Sequence, residues 1–116
     1  MYSYENAINL ALNKFVILKQ IYNENVEDYE DLPYVFYESE FVKYIMCKSI
    51  NSDEKELVEI FDFIEDMLSN GDTEIVNLIE VAVVESLSYE NNFHDFNKIA
   101  SKFYGELTKK SFSMLD

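Results

Sequence analysis

Chemistry in this chain of 116 residues would have to come from few side-chain types. It has one histidine, His94, one cysteine, Cys47, and 23 carboxylates. Metal sites need Cys, His or carboxylate ligands clustered at helix-turn or loop spacing. With one Cys, one His and no calcium-binding loop pattern, a structural metal site is not expected. His94 reads as a surface or capping histidine and Cys47 as a small core residue. Phosphate cradles need a glycine-rich loop ahead of a helix. The 2 glycines, Gly71 and Gly105, lie too far apart for one. The G-x-S-x-G turn of a serine nucleophile is also missing. Acid–base catalysis needs a pair of carboxylates, but their abundance here removes force from any one pair. These residues predict a non-enzymatic protein without metal or cofactor.

What the carboxylates offer instead is a binding surface. Residues 24–31 (ENVEDYED) hold 5 of them, among which Glu27, Asp28, Glu30 and Asp31 form a dense cluster. Glu59, Asp62 and Asp66 make a second stripe at helical spacing. Either set is an ordinary solvated face or a docking surface for a lysine- or arginine-rich protein. Between them the sequence LPYVFYESE concentrates Tyr34, Phe36 and Tyr37, aromatic anchors of the kind that dominate interfaces. Glu65 and Glu85 differ from the rest because each falls at the edge of a helix's apolar face. Such a carboxylate usually has a local donor, so acceptance of hydrogen bonds from a neighbouring loop or helix N-terminus is favoured for both over the other reading, a partner-binding acid.

The formal net charge is −14, from 23 acidic residues against 9 lysines and no arginine. No basic stripe exists to meet a phosphate backbone, which excludes nucleic acid as a natural partner. The same charge disfavours anionic membrane surfaces. A cationic protein partner, or simple solubility through self-repulsion, fits it. The lone cysteine forbids an intrachain disulfide and suits a reducing cytoplasm. The N-terminus lacks the basic and apolar regions of a signal peptide. No stretch reaches the about 18 uninterrupted apolar residues of a membrane span.

The elements that must position these side chains are helices. Hydrophobic residues make up 48% of the chain, enough for one core in a single domain over residues 1–116. Only 2 Gly and 1 Pro argue against a turn-rich sandwich or barrel. The organising stretch is 72–89. Ile75, Leu78, Ile79, Ala82, Val83 and Leu87 recur at i, i+3, i+4 and i+7, with Val76, Val81 and Val84 carrying apolar character to the sides. A helix apolar round most of its circumference is buried among others. Before it, Asp53 and Glu56 have the spacing of a capping box, and Leu57, Ile60, Phe61, Ile64 and Leu68 form the stripe of a third helix. Asn70-Gly71 ends that helix, Gly71 in a left-handed cap, and Asp72 caps the next one. The two make an antiparallel hairpin resembling one unit of a HEAT-type array.

The spacing predicts a first helix over 3–23 capped by Ser3, with Tyr4, Ile8, Ala11, Phe15, Leu18 and Tyr22 inward. Residues 24–31 are expected to be a solvated loop and the Leu32-Pro33 aromatic stretch a loop pinned to the core. A second helix, capped by Ser39, is predicted to run to about Ser49. Two short helices follow: 92–104 with Phe93, Phe96, Ile99, Ala100 and Phe103 inward, and 106–115 with Leu107, Phe112 and Leu115 inward.

Two stretches, 31–45 (DLPYVFYESEFVKYI) and 60–87 (IFDFIEDMLSNGDTEIVNLIEVAVVESL), resemble a family of small, acidic, mostly uncharacterised bacterial all-helical proteins. Leu32-Pro33, Phe36, Phe61, Phe63, Glu65, Asn70-Gly71-Asp72, Asn77-Leu78 and Glu85-Ser86-Leu87 carry the match, over about half the chain. Such proteins are similar to the immunity proteins of bacterial toxin systems. The resemblance implies a stoichiometric inhibitor, and it transfers no functional residue.

The expectation is therefore an all-α domain of five or six helices that neutralises a cognate toxin in the cytoplasm. It would do so by binding a cationic toxin domain through an acidic surface. The rival is a structural or regulatory interaction module without a toxin, homo-oligomeric in one version. The sequence leaves the oligomeric state open.

Overall fold

A computed structural model describes residues 1–91 and 97–115. The architecture is all-α, with 8 helices among the described residues. These are α1 (Ala7–Lys14), α2 (Val16–Glu24), the single turn α3 (Val26–Tyr29), α4 (33–50), α5 (Glu54–Asn70), α6 (73–90), α7 (97–103) and α8 (Glu106–Ser113). A short 3-10 turn, Tyr4–Asn6, leads into α1. The described elements enclose one hydrophobic core.

The predicted hairpin is present, and its caps follow from local sequence. Asp53 accepts from the Glu56 backbone N–H at 3.3 Å, and Asp72 accepts from that of Ile75 at 2.8 Å. Ile75, Leu78, Ile79, Ala82, Val83 and Leu87 are all buried, as are Leu57, Ile60, Phe61 and Ile64 opposite them. Gly71 departs from expectation. Its backbone is extended, at φ −84° and ψ 157°, rather than left-handed. The cause is Tyr2: its N–H donates to the Asn70 carbonyl and its carbonyl accepts from Asp72 N–H, both at 2.8 Å, so the N-terminus pairs along the turn. Glycine is needed there for space, since a Cβ would lie 2.2 Å from Ile75 Cγ2 and 2.5 Å from the Met67 carbonyl oxygen.

The predicted first helix is two. Phe15 is extended (φ −124°, ψ 107°) and splits α1 from α2. The break delivers its ring to Phe41, Tyr44 and Phe63, with centroids 5.8, 5.6 and 5.5 Å away. Ser3 makes no capping bond to the helix; its hydroxyl accepts from Asn6 Nδ2 instead. The acidic stretch is not all loop either. It contains α3, held down by buried Tyr29, whose ring packs on Phe36 at 5.4 Å and whose hydroxyl donates to Glu40.

The aromatic stretch is helical from Pro33, which occupies the first turn of α4 where its missing N–H is harmless. Ser39 therefore lies inside this helix and caps nothing. Two of the three long helices carry a π segment, Tyr37–Phe41 in α4 and Ile79–Glu85 in α6. Ala82, Val83 and Val84 are buried in succession, as suits a helix packed on several sides. The π segment of α4 packs against that of α6, and Val42–Ile50 against Ser86–Glu90, so α4 and α6 run parallel.

At the C-terminus, Thr108 and Ser111 face inward, while Leu107 and Leu115, expected inside, are each 38% exposed. Ile99 and Phe103 are half-buried and Ala100 is fully buried. The expectations for Phe93, Phe96 and His94 lie outside the described residues.

Candidate partner-binding surface

Glu27 and Asp28 lie on α3, and Glu30 and Asp31 in the bend to α4; all four are exposed. Tyr29 between them points into the core, so the anchored turn holds its carboxylates outward. Asp31 closes the bend at φ 59°, a left-handed conformation that aspartate tolerates better than most residues. It lines a cleft of about 230 Å³ with Tyr4, Tyr22 and Pro33. None of the four side chains has a cationic partner among the described residues.

The aromatic candidates separate. Phe36 and Tyr37 are completely buried and belong to the core, which corrects their assignment to a partner contact. Their exposure is lost because the stretch is a helix laid against α1 and α2. Tyr37 donates to the Ala7 carbonyl at 2.6 Å, and burial holds its phenol well above the usual tyrosine range. Tyr34 is half-buried, with its ring 6.0 Å from Tyr4 and its hydroxyl accepting from Asn77 Nδ2 at 2.6 Å.

The α5 stripe is partly engaged. Lys14 bridges to Glu59 at 2.9 Å, and this bond lowers the Glu59 carboxyl and raises the Lys14 amine. Asp66 accepts from Tyr2 Oη at 2.5 Å and from Asn70 Nδ2 at 2.6 Å, which raises the Tyr2 phenol. Of the three, Asp62 is exposed and has no such partner among the described residues. Asp62, Asp66, Lys14 and Tyr2 line a cleft of about 530 Å³. Asp31 of the acidic turn and Asp62 and Asp66 of the stripe thus line different clefts.

Glu65 behaves as expected of an edge carboxylate. Its Oε2 accepts from Leu107 N–H at 2.9 Å, and its Oε1 from Thr108 N–H at 3.0 Å and Thr108 Oγ1 at 2.9 Å. It caps α8 from α5, and this grip turns Thr108 inward and Leu107 outward. Glu85 does not follow: it is exposed and accepts no hydrogen bond from the described residues. Cys47, expected in the core, is exposed because α4 buries Phe41, Val42, Ile45 and Ser49 on the other side. Sequence reasoning passed over Glu38 and Glu90, which line a groove between α4 and α6 with Glu85. Glu38 lies four residues before Val42, a spacing visible in the sequence once α4 is known to start at Pro33. Among the described residues no three His, Cys, Asp or Glu side chains converge on a metal position.

The sequence profile of a domain of unknown function, DUF7674, matches residues 8–114. The chain belongs to the DUF7674 family. The match covers every helix described above but for the first residue of α1, and so includes α2 and α8, which lie outside 31–45 and 60–87. An uncharacterised family is thereby confirmed, while the DUF7674 description says nothing of toxins or immunity. Neither a curated protein nor a solved structure matches the chain. No described helix is long and apolar enough to cross a membrane.

Proposed function

We propose that this DUF7674 protein is a non-catalytic binding module that captures a cationic protein partner, in the manner of a cytoplasmic immunity protein occluding a basic toxin surface. One observation carries the reading. The carboxylates of Glu27, Asp28, Glu30 and Asp31 are held outward on an anchored turn with no cation against them among the described residues. Unneutralised charge on a fixed support attracts a complementary surface and steers its approach, raising association rates by about ten- to a thousandfold. Self-association is the weaker alternative, because two copies would each bring a net charge of −14.

The test is affinity capture from the native organism, identification of the partner by mass spectrometry, and titration of the purified pair at two ionic strengths. The expected partner is basic, binds stoichiometrically, and binds less tightly as salt rises. In the immunity case its gene adjoins and its toxicity is abolished by co-expression. A partner with an acidic surface, or affinity indifferent to salt, overturns the reading. Turnover of a substrate by the purified protein would replace it with an enzymatic one.

A further inference from the structure

A groove between the parallel helices α4 and α6 has the shape and charge to hold a third helix. It comprises two depressions of about 480 and 430 Å³ that share Glu38, Ser39, Val42 and Glu90. One wall is a row at four-residue steps on α4: Glu38, Val42, Met46 and Ile50. The other is a row at the same steps on α6: Val81, Glu85 and Tyr89. Rows at i±4 are the ridges between which another helix seats its own side chains. At about 1.5 Å per residue, the α4 row runs for roughly 18 Å, three turns of an occupant. Apolar surface remains open along it, with Ile50 65% and Val81 41% exposed. The paired π segments supply Glu38, Ser39, Val81 and Glu85, and π segments recur at functional sites because they displace side chains from helical register.

Charge selects the occupant. Glu38, Glu85 and Glu90 line the groove against one lysine, Lys43. We propose that the α4–α6 groove is the docking site for a cationic amphipathic helix of a partner protein. Apolar side chains of that helix, spaced i, i+3, i+4 and i+7, would lie on Met46, Ile50 and Val81, with lysines or arginines against Glu38 and Glu85. The proposal rests on the cationic-partner reading and locates the contact within it.

The probe is a fluorescent, helical leucine–lysine peptide of roughly 18 residues, compared with a leucine–glutamate peptide of the same apolar pattern. Cys47 lines the groove and is the chain's only cysteine, so its alkylation rate reports occupancy. The cationic peptide should slow that alkylation. Glu38→Lys with Glu85→Lys should weaken binding by about tenfold or more, and Val81→Asp should weaken it although it adds negative charge. Glu27→Lys with Asp28→Lys should change it by less than about twofold at physiological ionic strength. Circular dichroism of each variant checks that the fold is retained. Binding that ignores Val81→Asp, or follows the Glu27 and Asp28 pair instead, overturns the groove and leaves the cationic-partner reading standing. Equal binding of the glutamate peptide, or no association of the lysine peptide at low salt, overturns both.

Discussion

Three donors converge on the Glu65 carboxylate, and the consequences reach beyond one side chain. Hydrogen bonds to an ionised acceptor are stronger than neutral ones, and these close the open N-terminus of α8. Glu65→Ala should cost about 1–3 kcal/mol in urea denaturation. Gly105 faces the same carboxylate so closely that a Cβ there would lie 2.4 Å from Oε1. Gly105→Ala should therefore destabilise the native chain by displacing Glu65, yet cost little in a Glu65→Ala background. A double-mutant cycle with additive effects would refute that coupling. Tyr29 makes a second prediction. Its phenol is pushed up to about 12, first by the hydrogen bond to Glu40 and then by burial, from an ordinary value of 10.0. The folded state thus keeps a proton that the unfolded chain gives up. The resulting stability is intact below pH 10.0 and is lost as pH rises toward about 12. Urea midpoints of Tyr29→Phe should fall less steeply than those of the native protein over that window.

The α5–α6 hairpin was legible because its signals are local: apolar residues at helical spacing, and an aspartate three residues before the N–H that it caps. Ile79→Ala should cost about 2–5 kcal/mol, and a cost within roughly 0.5 kcal/mol would mean that the wrong face had been identified. Gly71→Ala should also destabilise, since the contacts include the Met67 carbonyl oxygen, a backbone atom that a rotamer change cannot move. What stayed hidden depends on distant partners. No local signal separates α1 from α2; Phe15 breaks the helix to reach rings on α4 and α5. The π segments Tyr37–Phe41 and Ile79–Glu85 have no signal in the apolar spacing, and of the side positions Val84 is buried while Val81 is 41% exposed. At the candidate surface, exposure of the acidic turn followed from its charge. The aromatic stretch does reach the core, as a pinned segment should, but as a helix that Pro33 starts, and that helix leaves Phe36 and Tyr37 no surface for a partner.

For the molecule as a whole, the question is whether its charge is a docking device or only a solubility device. A net charge of −14 repels itself wherever carboxylates crowd, so reversing a few should leave the fold intact or improve it. The structure makes the two acidic sets unequal tests. Glu27→Lys with Asp28→Lys removes carboxylates with no cation opposite them among the described residues, and its stability change should stay within about 0.5 kcal/mol. Glu59→Lys with Asp62→Lys breaks the bond to Lys14 and brings two amines together, so it should be the more costly pair. Against an identified partner, the first pair should slow association and reduce its salt dependence while leaving dissociation nearly unchanged, as rim charges do. The groove pair, Glu38→Lys with Glu85→Lys, should instead speed dissociation, because a docked helix would exclude water from those carboxylates. Stopped-flow kinetics of the three pairs at two ionic strengths separate steering from contact. Association and dissociation unchanged in all three would leave the charge with solubility as its role.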